Sequence, residues 1–267
     1  MRAPQIIRLR DWASPVPAVR REVLSATPEV DEGKPPVLFV PGFGHGAWAF
    51  AEFWLEHTAS RGFPAHAVSL RGHGGSGPGT KATLRAYTHD VVQAAASLPR
   101  QAVLVGQGAG ALVVERALAR YPARAAVLAA PVLGGWATLG TALRRNPAGT
   151  VPAIFGGRLR LRRGQLFSRE VPAAAQKGYA ARLGRASARA QWQLLAHGRP
   201  EPAVGDPPVL VVGSPDDRVV PASALTRAAK RYGGAPLLFP GMGHDLMLDA
   251  RWREPIDAIL DWLEKEG

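Results

Sequence analysis

Six short apolar runs, separated by helix-like stretches, set the strongest constraint on how this chain can fold. They are VLFV (37–40), HAVSL (66–70), AVLV (102–105), AAVLAA (125–130), PVLVV (208–212) and PLLF (236–239). Each is too short for a helix, and none alternates apolar with polar residues, which is the pattern of strands covered on both faces. Helical periodicities fall between them, clearest over Thr83–Leu98, Ala109–Arg120, Ala222–Tyr232 and the C-terminal RWREPIDAILDWLEKE. Strand alternating with helix predicts a doubly wound, mostly parallel α/β sheet. Right-handed crossovers then bring the strand C-termini, and the loops after them, to one rim. Chemistry is expected on that rim.

The alternation breaks once. After AAPVLGGW (129–136), some sixty residues of Pro/Gly turns and Ala/Arg/Leu helices precede PVLVV. An excursion of that length predicts a helical cap over the rim, so that residues 1–133 and 201–267 form the core and 134–200 the cap. Trp136, Phe155, Phe167, Tyr179 and Trp192 are candidates to line its underside or to fill its own small core. Charge points to the same segment. The chain carries 33 Lys/Arg and 21 Asp/Glu, a net +12, and from Thr141 to Pro200 twelve basic residues face one acid, Glu170. That block reads either as a solvated basic face or as a lid that attracts an anionic or carrier-linked small molecule.

Other classes are excluded more simply. Without cysteine there is no disulfide framework and no thiolate chemistry. Neither zinc-finger spacing nor an RNA-binding aromatic motif occurs, so nucleic acid is not an expected partner. No apolar run is long enough to span a bilayer, and the N-terminus lacks the apolar stretch of a secretory signal, so a cytoplasmic protein is expected.

The stretch VLVGQGAGALVVERALARYP (103–122) reads as a strand, a glycine-dense turn and a helix. It does not meet G-x-G-x-x-G, because the third glycine would fall at Ala111, so a dinucleotide cofactor is not expected. No metal-ligand cluster stands out either. Four further loops follow predicted strands: VLFVPGFGHGAW, AVSLRGHGGSG, VVGSPDDRVVP and FPGMGHDLMLD. With all five in this order, the chain resembles the α/β-hydrolase family almost end to end. The resemblance implies about eight strands, a helical cap and a small-molecule substrate. It makes PGFG the oxyanion loop, with Pro41 where the family usually has histidine, and VGQGAG the turn that normally presents a nucleophilic serine. Gly108 stands at the serine's position, and Gln107 where histidine is common. Asp217 becomes the acid, with Asp216 as the neighbour it could be confused with, and His244 the general base. Phe43 and Ala109 would supply the two backbone N–H groups of an oxyanion hole. His45, Trp48, Gln107, Trp136, Trp192 and Met242 are the candidates for the pocket wall. His73 lies where the family often has a structural histidine, while His57, His66, His89 and His197 have no motif around them.

Three readings of Gly108 follow. The protein is an inactivated hydrolase whose serine was replaced by drift or by design. Alternatively, His244 and Asp217 act without a covalent step, on water for ester, thioester or lactone hydrolysis, or on the substrate as in lyase, cyclase or cofactor-free oxygenase chemistry. In the third reading the pocket only binds. Glycine adopts strained turn angles with little steric cost, so stability alone would prefer it at this position.

Overall fold

The computed structural model describes residues 13–155, 159–196 and 201–266, with the side chains of 136–138, 154 and 196 left outside the description. All six apolar runs become strands. With one more they make a sheet of seven: β1 (Val23–Ala26), β2 (Val37–Val40), β3 (Ala65–Val68), β4 (Val103–Gln107), β5 (Ala125–Ala129), β6 (Val209–Gly213) and β7 (Leu237–Leu238). The order is β1-β3-β2-β4-β5-β6-β7, with β1 antiparallel to β3 and every other pairing parallel. Seven strands among the described residues come close to the expected eight.

Period-two alternation explains why the central strands carry no polar face. Val37 and Phe39 of β2, Val103 and Val105 of β4, and Ala125 and Val127 of β5 point into one core. Leu38, Val40, Leu104, Ala126 and Leu128, the residues between, point into the other. The first core is closed by α1 (Trp48–Ala51), α2 (Trp54–Ser60) and α11 (Arg253–Glu266), through Phe50, Trp54, Ile256, Ile259 and Leu260. The second is closed by α3 (Leu84–Ala96), α4 (Ala109–Leu118) and α10 (Ala222–Arg231). Helix α3 begins where its sequence says it should, because the Thr83 hydroxyl accepts from Ala86 N at 3.1 Å.

The expectation of burial on both faces fails at β7. Leu237 and Leu238 are 38% and 40% exposed, because this two-residue strand is the sheet edge. The opposite edge, β1, lies in VLSA, where a serine and an exposed Val23 break the apolar run that would have marked it.

Five helices separate β5 from β6: α5 (Trp136–Arg145), α6 (Pro147–Ile154), α7 (Arg163–Leu166), α8 (Ala173–Arg182) and α9 (Ala188–Ala196). They are tied to the sheet domain at several points. Gly184 N donates to Gly44 O at 2.7 Å, Leu84 N to Gln193 Oε1 at 2.8 Å and Asp245 N to Leu166 O at 2.9 Å. Leu166 and Phe167 are buried in the same core as β2 and α11. No helix among the described residues is long and apolar enough to cross a membrane.

Candidate active site

The site is built where the C-termini of β2, β4 and β6 meet the loop after β7. Strand β4 ends at Gln107 and α4 starts at Ala109, so the whole reversal is made by Gly108, at φ 56° and ψ −123°. That conformation is one L side chains rarely adopt. Gly110 serves another purpose. A Cβ there would lie 2.5 Å from the carbonyl oxygens of Val40 and Pro41, so its lack of a side chain lets α4 press against the end of β2. A Cβ on Gly108 would stand 3.1 Å from His244 Nε2, with Gly42 Cα next at 3.7 Å. The space beside Gly108 is therefore faced by an imidazole and is not plugged by packing.

His244 is buried, and its Nδ1 lies 2.8 Å from Asp217 Oδ2. The other carboxylate oxygen of Asp217 accepts from the backbone N–H groups of Val219 (2.6 Å) and Val220 (3.0 Å), which fixes the carboxylate's orientation. Asp216 is exposed and takes a different partner, Gly241 N, at 2.7 Å. Of the two neighbouring acids, Asp217 is thus the one joined to the ring. Burial works against the charged form of His244, but the charge and hydrogen bond of Asp217, with Asp245 behind, outweigh it and hold the pKa above the ordinary imidazole value. A carboxylate on Nδ1 also fixes the tautomer, leaving Nε2 as the acceptor. Among the described residues Nε2 has no hydrogen-bond partner.

A second buried pair stands beside the first. Asp245 Oδ2 lies 3.0 Å from His45 Nε2, and its Oδ1 accepts from Gln107 Nε2 at 3.2 Å. Gln107 Oε1 in turn accepts from Gly42 N at 3.1 Å. This chain links the loop after β7, the turn after β4 and the loop after β2. Sequence reasoning missed Asp245; its only signal was its place directly after His244. The linked loop carries Phe43, whose ring packs on Tyr87 at 5.3 Å. A Cβ on Gly42 would lie 3.7 Å from Ala109 N, so this loop and the start of α4 abut. Neither the Phe43 nor the Ala109 N–H finds an acceptor among the described residues.

These groups open on a cavity of about 460 Å³, which residues of the inserted helices also line. Phe43, His45, Gln107, Gly108, Ala109 and His244 all line it. Leu139, Ala153, Leu161 and Leu194 supply apolar wall from the insertion.

Several expected wall residues lie elsewhere. Trp48 stacks on Tyr179 (6.4 Å) and is covered by the Arg182 guanidinium at 4.1 Å, away from the cavity wall. Met242 is buried in the sheet's first core, and Trp192 is 40% exposed; neither lines the cavity. Phe155 is 85% exposed, while Phe167 and Tyr179 pack against the first core instead of facing the cavity. A large apolar residue in sequence has no direction until the segment that carries it is docked. The side chain of Trp136, and His197 altogether, lie outside the described residues. Of the other histidines, His57 meets Asp257 at 2.6 Å, His66 meets Ser25 at 2.8 Å, and His73 is buried against Phe43 and Tyr87, while His89 Nδ1 is buried with no hydrogen-bond partner among the described residues.

Residues 37–260 match the alpha/beta hydrolase family. No curated protein matches the sequence significantly. Among solved structures, the chain is similar to a monoacylglycerol lipase from Paleococcus ferrophilus, with 20% identity over 94% of this chain and 100% of that one, at a TM-score of 0.69. A soluble variant of the Saccharomyces cerevisiae monoglyceride lipase, solved with a substrate analogue, gives 13% identity, coverages of 93% and 92%, and a TM-score of 0.76. An esterase from Rhodococcus gives 22%, coverages of 93% and 95%, and 0.66. At these identities the likeness is one of fold.

Proposed function

The chain belongs to the alpha/beta hydrolase family, and on that premise we propose that it hydrolyses a small carboxylic ester, thioester or lactone by activating water directly with His244. The observation that carries the reading is the oriented imidazole. His244 keeps its 2.8 Å contact with Asp217 while its partnerless Nε2 faces the space beside Gly108, 3.1 Å from where a side chain would begin. A pocket that only bound ligand would have no need of that pair. The names of the structural neighbours, two lipases and an esterase, favour ester bonds.

In this mechanism water occupies the position that a serine hydroxyl would take in a covalent relative. Nε2 accepts a proton from the water as its oxygen attacks the carbonyl carbon, and Asp217 steadies the imidazolium that forms. Negative charge develops on the carbonyl oxygen, where the N–H groups of Phe43 and Ala109 receive it. The tetrahedral intermediate then collapses, and the imidazolium returns the proton to the departing alkoxide or thiolate. Residues 134–200 act as the cap, shielding the cavity from bulk water. An oxyanion hole and binding without a full triad leave about 10³–10⁴-fold acceleration over water, enough for activated acyl groups and poor for amides.

The test is a panel of p-nitrophenyl esters, acyl thioesters and lactones, followed in the pre-steady state with intact-mass analysis. Turnover without a burst and without an acyl adduct is expected. An acyl-enzyme, or no turnover of any of the panel, refutes the reading. The same partnerless Nε2 also suits proton abstraction from a substrate carbon, and product analysis showing elimination or rearrangement in place of hydrolysis would select that chemistry.

A further inference from the structure

Three arginines line the cavity, from three segments far apart in sequence: Arg160 between α6 and α7, Arg185 between α8 and α9, and Arg218 directly after Asp217. All three are exposed while lining the cavity, so they stand at its opening. No aspartate or glutamate is among the lining residues. The backbone at each position is held. Arg160 O accepts from the buried Asn146 Nδ2 at 2.6 Å and its N–H donates to Gly149 O at 3.0 Å. Next to Arg185, Gly184 N donates to Gly44 O at 2.7 Å. Arg218 is followed by Val219, whose N–H is fixed on Asp217 Oδ1 at 2.6 Å.

What the guanidinium groups lack is an anion. Arg218 donates to a carbonyl, Gly164 O at 3.1 Å, and among the described residues none of the three has a carboxylate partner. Arg182, in the same basic stretch but outside the cavity, is by contrast paired with Glu52 at 3.1 Å. A solvated basic face would scatter its charges along helix surfaces. Convergence from three segments on one opening, below which the wall is largely apolar, is the arrangement of a site for a molecule with an apolar body and a negative end.

We propose that the substrate is an ester or thioester whose end remote from the scissile bond carries a carboxylate or phosphate, and that Arg160, Arg185 and Arg218 receive it. This rests on the hydrolytic reading for the word substrate, though the anion site itself does not. The remote anion stays at the opening, partly hydrated and flanked by cations, while the acyl carbonyl reaches Phe43, Ala109 and His244. A neutral ester of the same length fills the apolar wall but gains nothing from the arginines.

The experiment compares kcat/KM for mono-p-nitrophenyl adipate and p-nitrophenyl hexanoate, which share a chain length and differ in the terminal charge. The adipate ester is expected to be preferred about ten-fold at low salt, mainly through KM, with the preference shrinking several-fold at physiological ionic strength. In the triple variant Arg160→Gln/Arg185→Gln/Arg218→Gln the ratio should fall to near one. Each single variant should lower it roughly two-fold, and these carry the test if the triple variant does not fold. Arg169→Gln/Lys177→Gln removes two charges from the same stretch outside the cavity and should keep the preference. A preference lost equally in that control points to diffuse charge and overturns the proposal. Calorimetric titration with hexanoate and with hexanamide needs no turnover. Tighter binding of hexanoate, lost in the arginine variants, upholds the anion site even if neither ester is hydrolysed, a result that would refute only the hydrolytic reading. Equal binding of the two, or binding of neither, overturns the site.

Discussion

Replacing Gly108 by serine should make the protein less stable and far more active. The backbone there, at φ 56° and ψ −123°, is strained for any residue with a Cβ, at a cost of about 1–3 kcal/mol. The new Cβ arrives 3.1 Å from His244 Nε2, so the ring must yield by a fraction of an ångström. Taking about 2 kcal/mol for both effects, the midpoint of thermal unfolding falls by roughly 4–8 °C in a domain of this size. Against this, a serine–histidine pair in a complete triad supports acceleration on the order of 10⁶, and misplacement by about 1 Å forfeits roughly 10² of it. A gain of about 10²-fold or more in turnover of p-nitrophenyl butyrate is therefore expected, together with a burst and covalent labelling by a fluorophosphonate. A folded Gly108→Ser protein that shows neither gain nor label would mean that the imidazole and the two N–H groups do not converge on residue 108.

Three further outcomes follow from the same geometry. As a general base His244 must be neutral, so kcat/KM should rise with pH through a midpoint above the ordinary imidazole value, because Asp217 holds the ring's pKa up. Asp217→Asn removes most of that support and leaves burial opposed only by the charge of Asp245; the midpoint should move to lower pH and the plateau rate fall by about 10²–10⁴-fold, read from a pH–rate profile. Gln107→Ala leaves Asp245 Oδ1 and Gly42 N without their bonds, which should cost about 1–3 kcal/mol in denaturant unfolding and lower kcat by loosening the Phe43 loop. Asp90→Ala strips the buried Arg71 guanidinium of its two-point contact at 2.7 and 2.8 Å. A loss of about 3–5 kcal/mol is expected from the same unfolding measurement.

How far the chain could be read depended on whether a feature was local. The central strands were legible because residues such as Phe39 and Leu104 alternate between two apolar cores, leaving runs with no polar face. Of the two edges, β7 was read from PLLF although its leucines are exposed, whereas β1 was missed because VLSA carries a serine and an exposed Val23 that break the apolar run. Gly108, Asp217 and His244 each sit in a short loop after a strand, and spacing within a loop survives into three dimensions. The part of the cavity wall supplied between β5 and β6 has no such local rule. Its shape depends on docking contacts such as Gly184 N to Gly44 O at 2.7 Å, between residues far apart in sequence. For that reason Trp48, Trp192 and Met242 were misplaced as wall residues. The three arginines at the opening went unrecognised as a group because no period connects positions 160, 185 and 218.

The account stands most directly on the turnover of one activated ester by His244→Ala beside the unaltered protein. The alanine variant should retain no more than about one hundredth of the rate at any pH, while remaining folded at the assay temperature. Equal turnover by the two would show that the buried ring facing residue 108 takes no part in the reaction, and the hydrolytic mechanism would have to be abandoned.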